Sequence, residues 1–161
     1  MVSLRSLTAD LNKFIALSQG ERRMLVKAFL LLPAVHLGLR VLGYSRLLRV
    51  IETWTPLRST AGVAAEQDQR MRAREVARIV SIAAARGLYR ATCLRRSLAL
   101  LWFLRRESIE STIRFGVRTS GGRLVAHAWV ESNGMVINDA PDVHEHYPTL
   151  QETLPANGLG L

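Results

Sequence analysis

Apolar positions recur at helical spacing through the first two-thirds of the chain and at strand spacing through much of the rest. In residues 8–32, Leu11, Phe14, Ile15 and Leu17 follow Thr8, a residue type suited to a helix N-cap. The pattern then breaks at Ser18, Gln19 and Gly20, and a second helix is expected from Glu21 to the region of Pro33. Residues 24–42 are strongly apolar, but Lys27, Pro33, His36 and Arg40 interrupt them. The stretch therefore fails the test of about 18 uncharged apolar residues for a spanning helix, and packing on the domain is favoured over a peripheral membrane contact. Pro, Ser, Thr and Gly in residues 53–62 read as a linker. Beyond it Val76, Ile79, Val80 and Ala83 line one face of an amphipathic helix, with Glu66 in its first turn and Gly87 closing it. A third helix follows Thr92, with Leu94, Leu98, Leu101 and Trp102 on one side. Arg105 and Arg106 stand at its end, where cations suit the helix dipole.

The period then changes to two. Ile113, Phe115 and Val117 alternate with polar residues, Ser120-Gly121-Gly122 is a turn, and residues 124–131 and 135–139 are two further strands separated by Ser132-Asn133-Gly134. Helices first and a three-stranded antiparallel meander second predict an α+β fold. A helical region over residues 1–58 precedes a core over residues 59–161, the two forming one compact unit, with a loose tail after Pro155.

Composition narrows the function classes. In the 161 residues, 48% hydrophobic and 22% charged content suits a folded globular chain. The excess of 22 Lys+Arg over 13 Asp+Glu gives a net charge of +9, able to attract nucleic acid, anionic lipid or an acidic polypeptide. The arginines are dispersed, however, and only 6% of residues are aromatic. That argues against a base-stacking platform, and no specific nucleic-acid partner is expected. One cysteine excludes an internal disulfide and any multi-cysteine metal site. It fits a reducing compartment, and residues 1–14 lack the apolar core of a signal peptide, so a cytoplasmic location is expected.

That cysteine, Cys93, follows Thr92 and opens the third helix. In the first turn it lies beside N–H groups without helical partners and at the positive end of the dipole, surroundings that favour a thiolate; Arg90, Arg95 and Arg96 act in the same direction. An attacking thiol needs a base and a group to orient that base. His127 stands mid-strand between alanines. If Ser132-Asn133-Gly134 is a three-residue loop, 131 pairs with 135, 129 with 137, and His127 stands opposite Asp139. Val125, Trp129, Met135 and Ile137 then share that face, on which the Cys93 helix would pack. A two-residue turn at Asn133-Gly134 would instead turn Asp139 to the other face. Glu131 and Asp142 are rival carboxylates, the first two pairs away and the second beyond the strand. His144 and His146, two apart, read as loop histidines and not zinc ligands, since no His-x-x-x-His pair exists. No metal or cofactor is expected. The composed site is Cys93 as nucleophile, His127 as base and then acid, and Asp139 holding the imidazole tautomer. The oxyanion would meet backbone N–H groups at the helix start, with Trp54, Tyr89 and loop amides as candidate second donors.

"CLRRSLAL", "HAWVE" and "VIND" together resemble the transglutaminase-like (papain-like) fold, and more narrowly the B2 (leader peptidase) proteins of lasso-peptide biosynthesis. The resemblance covers roughly residues 60–145. It implies that Cys93, His127 and Asp139 form a cysteine peptidase triad that cuts the leader from a ribosomally synthesised precursor. Arg96-Ser97 after the cysteine also fits the family pattern. It further implies three associates: the precursor peptide (leader plus core), a separate leader-binding B1-type protein acting in trans, and the macrolactam synthetase. A transamidase or acyltransferase using the same triad, and a non-enzymatic basic adaptor, are the alternatives.

Overall fold

The computed structural model describes residues 18–55, 63–87 and 91–149. The helix expected over residues 8–17, most of the linker, Tyr89, Arg90 and the tail lie outside the described residues. Helix α1 (Gln19–Trp54) starts on a capping box: the Ser18 hydroxyl accepts from the Glu21 N–H, and the Glu21 carboxylate accepts from the Ser18 N–H at 2.8 Å. The Ser18 hydrogen bonds, with Arg78 alongside, hold the Glu21 carboxyl below its ordinary value. The break seen in the sequence at residues 18–20 is thus a helix start. The expected end near Pro33 is not observed. Pro33 sits on the exposed side, while Leu32 and Val35 remain buried on the other, and the helix runs on. It turns instead at Gly43 (φ 73°), a conformation that residues bearing a Cβ disfavour.

Helix α2 (Val63–Arg86) buries Val76, Ile79, Val80 and Ala83 completely, the stripe the sequence shows. Helix α3 (Cys93–Arg106) is apolar around most of its circumference, with Ser97 through Leu101, Phe103 and Leu104 buried, because it lies between α1, α2 and the sheet. One hydrophobic cluster joins Leu25, Ala28 and Leu32 of α1 to the α2 stripe, to α3, and to Val130 and Ile137 beyond.

The sheet follows in the order β1 (Thr112–Ser120), β2 (Arg123–Ser132), β3 (Met135–Val136), all antiparallel. Both hairpins close on two residues with positive φ: Gly121 and Gly122 (56° and 75°), then Asn133 and Gly134 (47° and 72°). Such turns match the twist of the strands they join. The second turn corrects the register expected above, since Ser132 pairs with Met135 and Glu131 with Val136. Ile137 consequently shares a face with Val130 and joins the core beside α3, whereas His127 and Trp129 point to the opposite face. The expectation that the His127–Trp129–Ile137 face receives the Cys93 helix is therefore incorrect. That face is covered by the chain after β3: helix α4 (Val143–His146) crosses it, and Thr149 forms a bridge to Gly116 on β1.

Candidate active site

Ladder pairing of β3 with β2 stops after two residues, and what replaces it builds the site. The Ile137 N–H still donates to the Val130 carbonyl at 2.9 Å. The Val130 N–H, however, donates to the side-chain Oδ1 of Asn138 at 2.7 Å, where a continuing strand would have offered a backbone carbonyl. Asn138 Nδ2 in turn donates to Ser97 Oγ (3.1 Å), and the Ser97 hydroxyl donates to the carbonyl of Ala128 (3.1 Å). Ala128 and Val130, two apart, turn their peptide groups to the same side of β2. A helix side chain has thereby taken the rung that a longer β3 would have filled. These bonds are largely buried, so each polar group needs the partner it has.

Freed from the ladder, Asp139 reaches His127: Nε2 and Oδ2 are 2.7 Å apart. With the carboxylate accepting, Nε2 carries the proton and Nδ1 is left for exchange with a reacting group. Asp139 Oδ1 accepts from the Ala140 N–H at 2.9 Å, and Arg96 of α3 stands 3.6 Å from Oδ2. The expected contact thus forms although the register expected to produce it does not. Asp139 would face away from His127 if the strand continued; it meets His127 because the strand ends.

Cys93 is the first residue of α3 and is half-buried. Thr92 is the N-cap with extended backbone (φ −66°, ψ 164°), but its side chain makes no capping hydrogen bond. The first intrahelical bond runs from the Arg96 N–H to the Thr92 carbonyl, so the N–H groups of Cys93 and Leu94 stand at the helix start, ahead of the helical ladder. Ser97 lies one turn further along the face that carries Cys93. Its bond to Ala128, with the Arg96–Asp139 approach, brings the helix start and the His127–Asp139 pair to the same edge of β2. No hydrogen bond joins Cys93 to His127 among the described residues. Trp54, one candidate second donor, is largely exposed at the end of α1.

On its own face of the sheet the imidazole lies between two rings, Tyr147 with its centroid at 4.7 Å and Trp129 at 6.1 Å, both within about 30° of parallel. Trp129 is fully buried; its indole N–H donates to Glu131 Oε1 (2.8 Å), and His144 packs edge-on against it (5.2 Å). Glu131 also meets His144 Nε2 at 3.1 Å and Arg114 at 3.0 Å, so it fixes the indole and leaves the imidazole to Asp139. Asp142 precedes α4 and faces His146. Gly116, opposite His127 on β1, makes room for this layer. A Cβ there would come within 2.5 Å of the Tyr147 carbonyl oxygen and 2.8 Å of its Cβ. Gly116→Ala is accordingly expected to displace Tyr147 from the imidazole and to cost about 1–3 kcal/mol, read as a lowered thermal midpoint. An unchanged midpoint would mean that the segment shifts freely.

Asn138, Tyr147 and Gly116 were not singled out from the sequence. Asn138 carried the only signal, an amide immediately after an apolar pair, where a side chain can substitute for a strand's peptide group.

A profile of the Transglutaminase-like superfamily matches residues 35–152 of this chain. Over 66 residues the chain is 35% identical to the Microcin J25-processing protein McjB of Escherichia coli, an alignment covering 41% of this chain and 31% of that protein. This chain therefore spans under a third of that relative's length. No solved structure matches. With its cysteine at the start of a buried helix, its histidine on the adjoining antiparallel sheet and a profile match over most of its length, the chain belongs to the transglutaminase-like superfamily.

Proposed function

We propose that this protein is a cysteine peptidase that removes the leader from a ribosomally synthesised lasso-peptide precursor. The observation that carries the reading is the 2.7 Å bond between His127 and Asp139 at the β2 edge where α3 begins with Cys93. Similarity to a protein named for processing microcin J25 supports the substrate class.

In the proposed reaction His127 Nδ1 accepts the Cys93 thiol proton as sulfur attacks the scissile carbonyl carbon. Asp139 stabilises the imidazolium and fixes its orientation. The N–H groups of the first turn of α3 receive the developing oxyanion. Collapse breaks the C–N bond, His127 returns its proton to the departing amine, and the thioester is left on Cys93. Water, deprotonated by the same imidazole, then hydrolyses the thioester and frees the leader's carboxylate. A separate leader-binding protein presents the precursor, and a ring-closing synthetase takes the freed core.

The test is incubation of the protein with a leader-bearing precursor peptide, with and without the leader-binding protein, followed by mass analysis. Two fragments whose masses sum to the precursor plus one water are expected without added amine. Products formed only with an added amine, and carrying its mass, would assign a transamidase. An intact precursor under both conditions would overturn the reading.

A further inference from the structure

Among the described residues, none covers the outward face of α1. Val26, Leu30, Leu37 and Val41 are exposed by 51%, 70%, 61% and 69%, and Pro33 lies exposed among them. Their spacings of four, three, four and four residues place them on one stripe, which at 1.5 Å per residue runs for about 22 Å. The stripe ends where Gly43 turns the helix. The opposite side, with Met24, Leu25, Ala28, Leu32 and Val35, is buried against the rest of the protein. By length and mean hydropathy α1 is able to cross a membrane despite the charges that made residues 24–42 fail the stricter uncharged-stretch test, but its buried side holds it on the body of the fold.

Charge accompanies the stripe. Residues 22–51 contain six Lys or Arg and no Asp or Glu. On the helical wheel Arg40 falls to one side of the stripe and Arg23 and Lys27 to the other, all three exposed. A convex apolar line between cations, on a helix anchored by its other face, suits a flat anionic surface. The apolar side chains enter the boundary of the acyl chains while the cations remain among the headgroups. We infer that this protein docks peripherally on anionic lipid bilayers through the outer face of α1, the helix lying in the plane of the surface. The docking face shares no residue with the proposed Cys93, His127 and Asp139 site and does not depend on what that site catalyses.

The test is co-sedimentation of the full-length protein with vesicles of phosphatidylglycerol and phosphatidylethanolamine, against vesicles of phosphatidylcholine alone. Binding to the anionic vesicles is expected to exceed binding to the neutral ones at least about 10-fold and to weaken as salt rises. The double variant Leu37→Glu/Val41→Glu alters only exposed positions. It should retain the circular dichroism spectrum of the parent and lose at least about 10-fold in anionic-vesicle binding. Lys27→Glu/Arg40→Glu should lose binding while keeping the apolar stripe. Equal binding by parent and variants, or no binding by the parent, would overturn the inference. A parent dimer that the Leu37→Glu/Val41→Glu change dissociates, with no vesicle binding, would also overturn it by assigning the stripe to a second copy of the chain.

Discussion

Replacing Cys93 by alanine is expected to lower cleavage of a leader-bearing peptide by ~10⁴-fold or more while leaving the protein folded. The two halves of that expectation rest on different observations. Cys93 lies half-buried at the first residue of α3 and lies outside the hydrophobic cluster, so removing one sulfur atom takes little from the core. The chemistry has no substitute, because Cys93 is the chain's single cysteine and no other thiol can form the thioester. Fragment formation followed by chromatography, with the thermal midpoint recorded on the same preparation, separates the two effects. Loss of cleavage at an unchanged midpoint is the expected result. Unimpaired cleavage by the alanine variant would remove Cys93 from the mechanism. A midpoint that collapses along with activity would make the cysteine a structural residue. A basic adaptor, by contrast, would keep its function in this variant and lose it in high salt.

The sequence carried the helices well because each solves a local problem. The α2 stripe at residues 76, 79, 80 and 83 has a single face to bury, and the structure buries it completely. The alternation of Ile113, Phe115 and Val117 likewise commits β1 to one orientation, which the pairing with β2 preserves. The site depended on contacts that no local pattern encodes. Asn133-Gly134 favours the two-residue turn, and by that rule alone Asp139 should point away from His127. What reverses the outcome is the Asn138 amide and the Ser97 hydroxyl, which end β3 by satisfying Val130 and Ala128 from outside the strand. Those partners lie 8 and 31 residues apart in the chain. Helix α1 is a similar case: Pro33 removes one N–H donor without ending the helix, and it lies on the exposed side while Leu32 and Val35 stay buried.

His127→Ala is expected to reduce cleavage about as far as Cys93→Ala does, and Asp139→Ala by one to two orders of magnitude less. The difference follows from how the imidazole is held. Without Asp139 the ring still lies between Tyr147 and Trp129, and the indole is itself fixed by Glu131, so much of the orientation survives the loss of the carboxylate. Without His127 the imidazole assigned to take the thiol proton is gone. If the two residues act as one unit, the double variant His127→Ala/Asp139→Ala will cleave no more slowly than His127→Ala alone, since a carboxylate that works through the ring has nothing to contribute once the ring is gone. Cleavage rates of the four proteins in this cycle give the coupling directly. Losses that simply multiply would detach Asp139 from the histidine and give its carboxylate a separate task. The neighbouring Arg96, 3.6 Å from Oδ2, is the group through which that task would run, because it ties the same carboxylate to the helix that begins at Cys93.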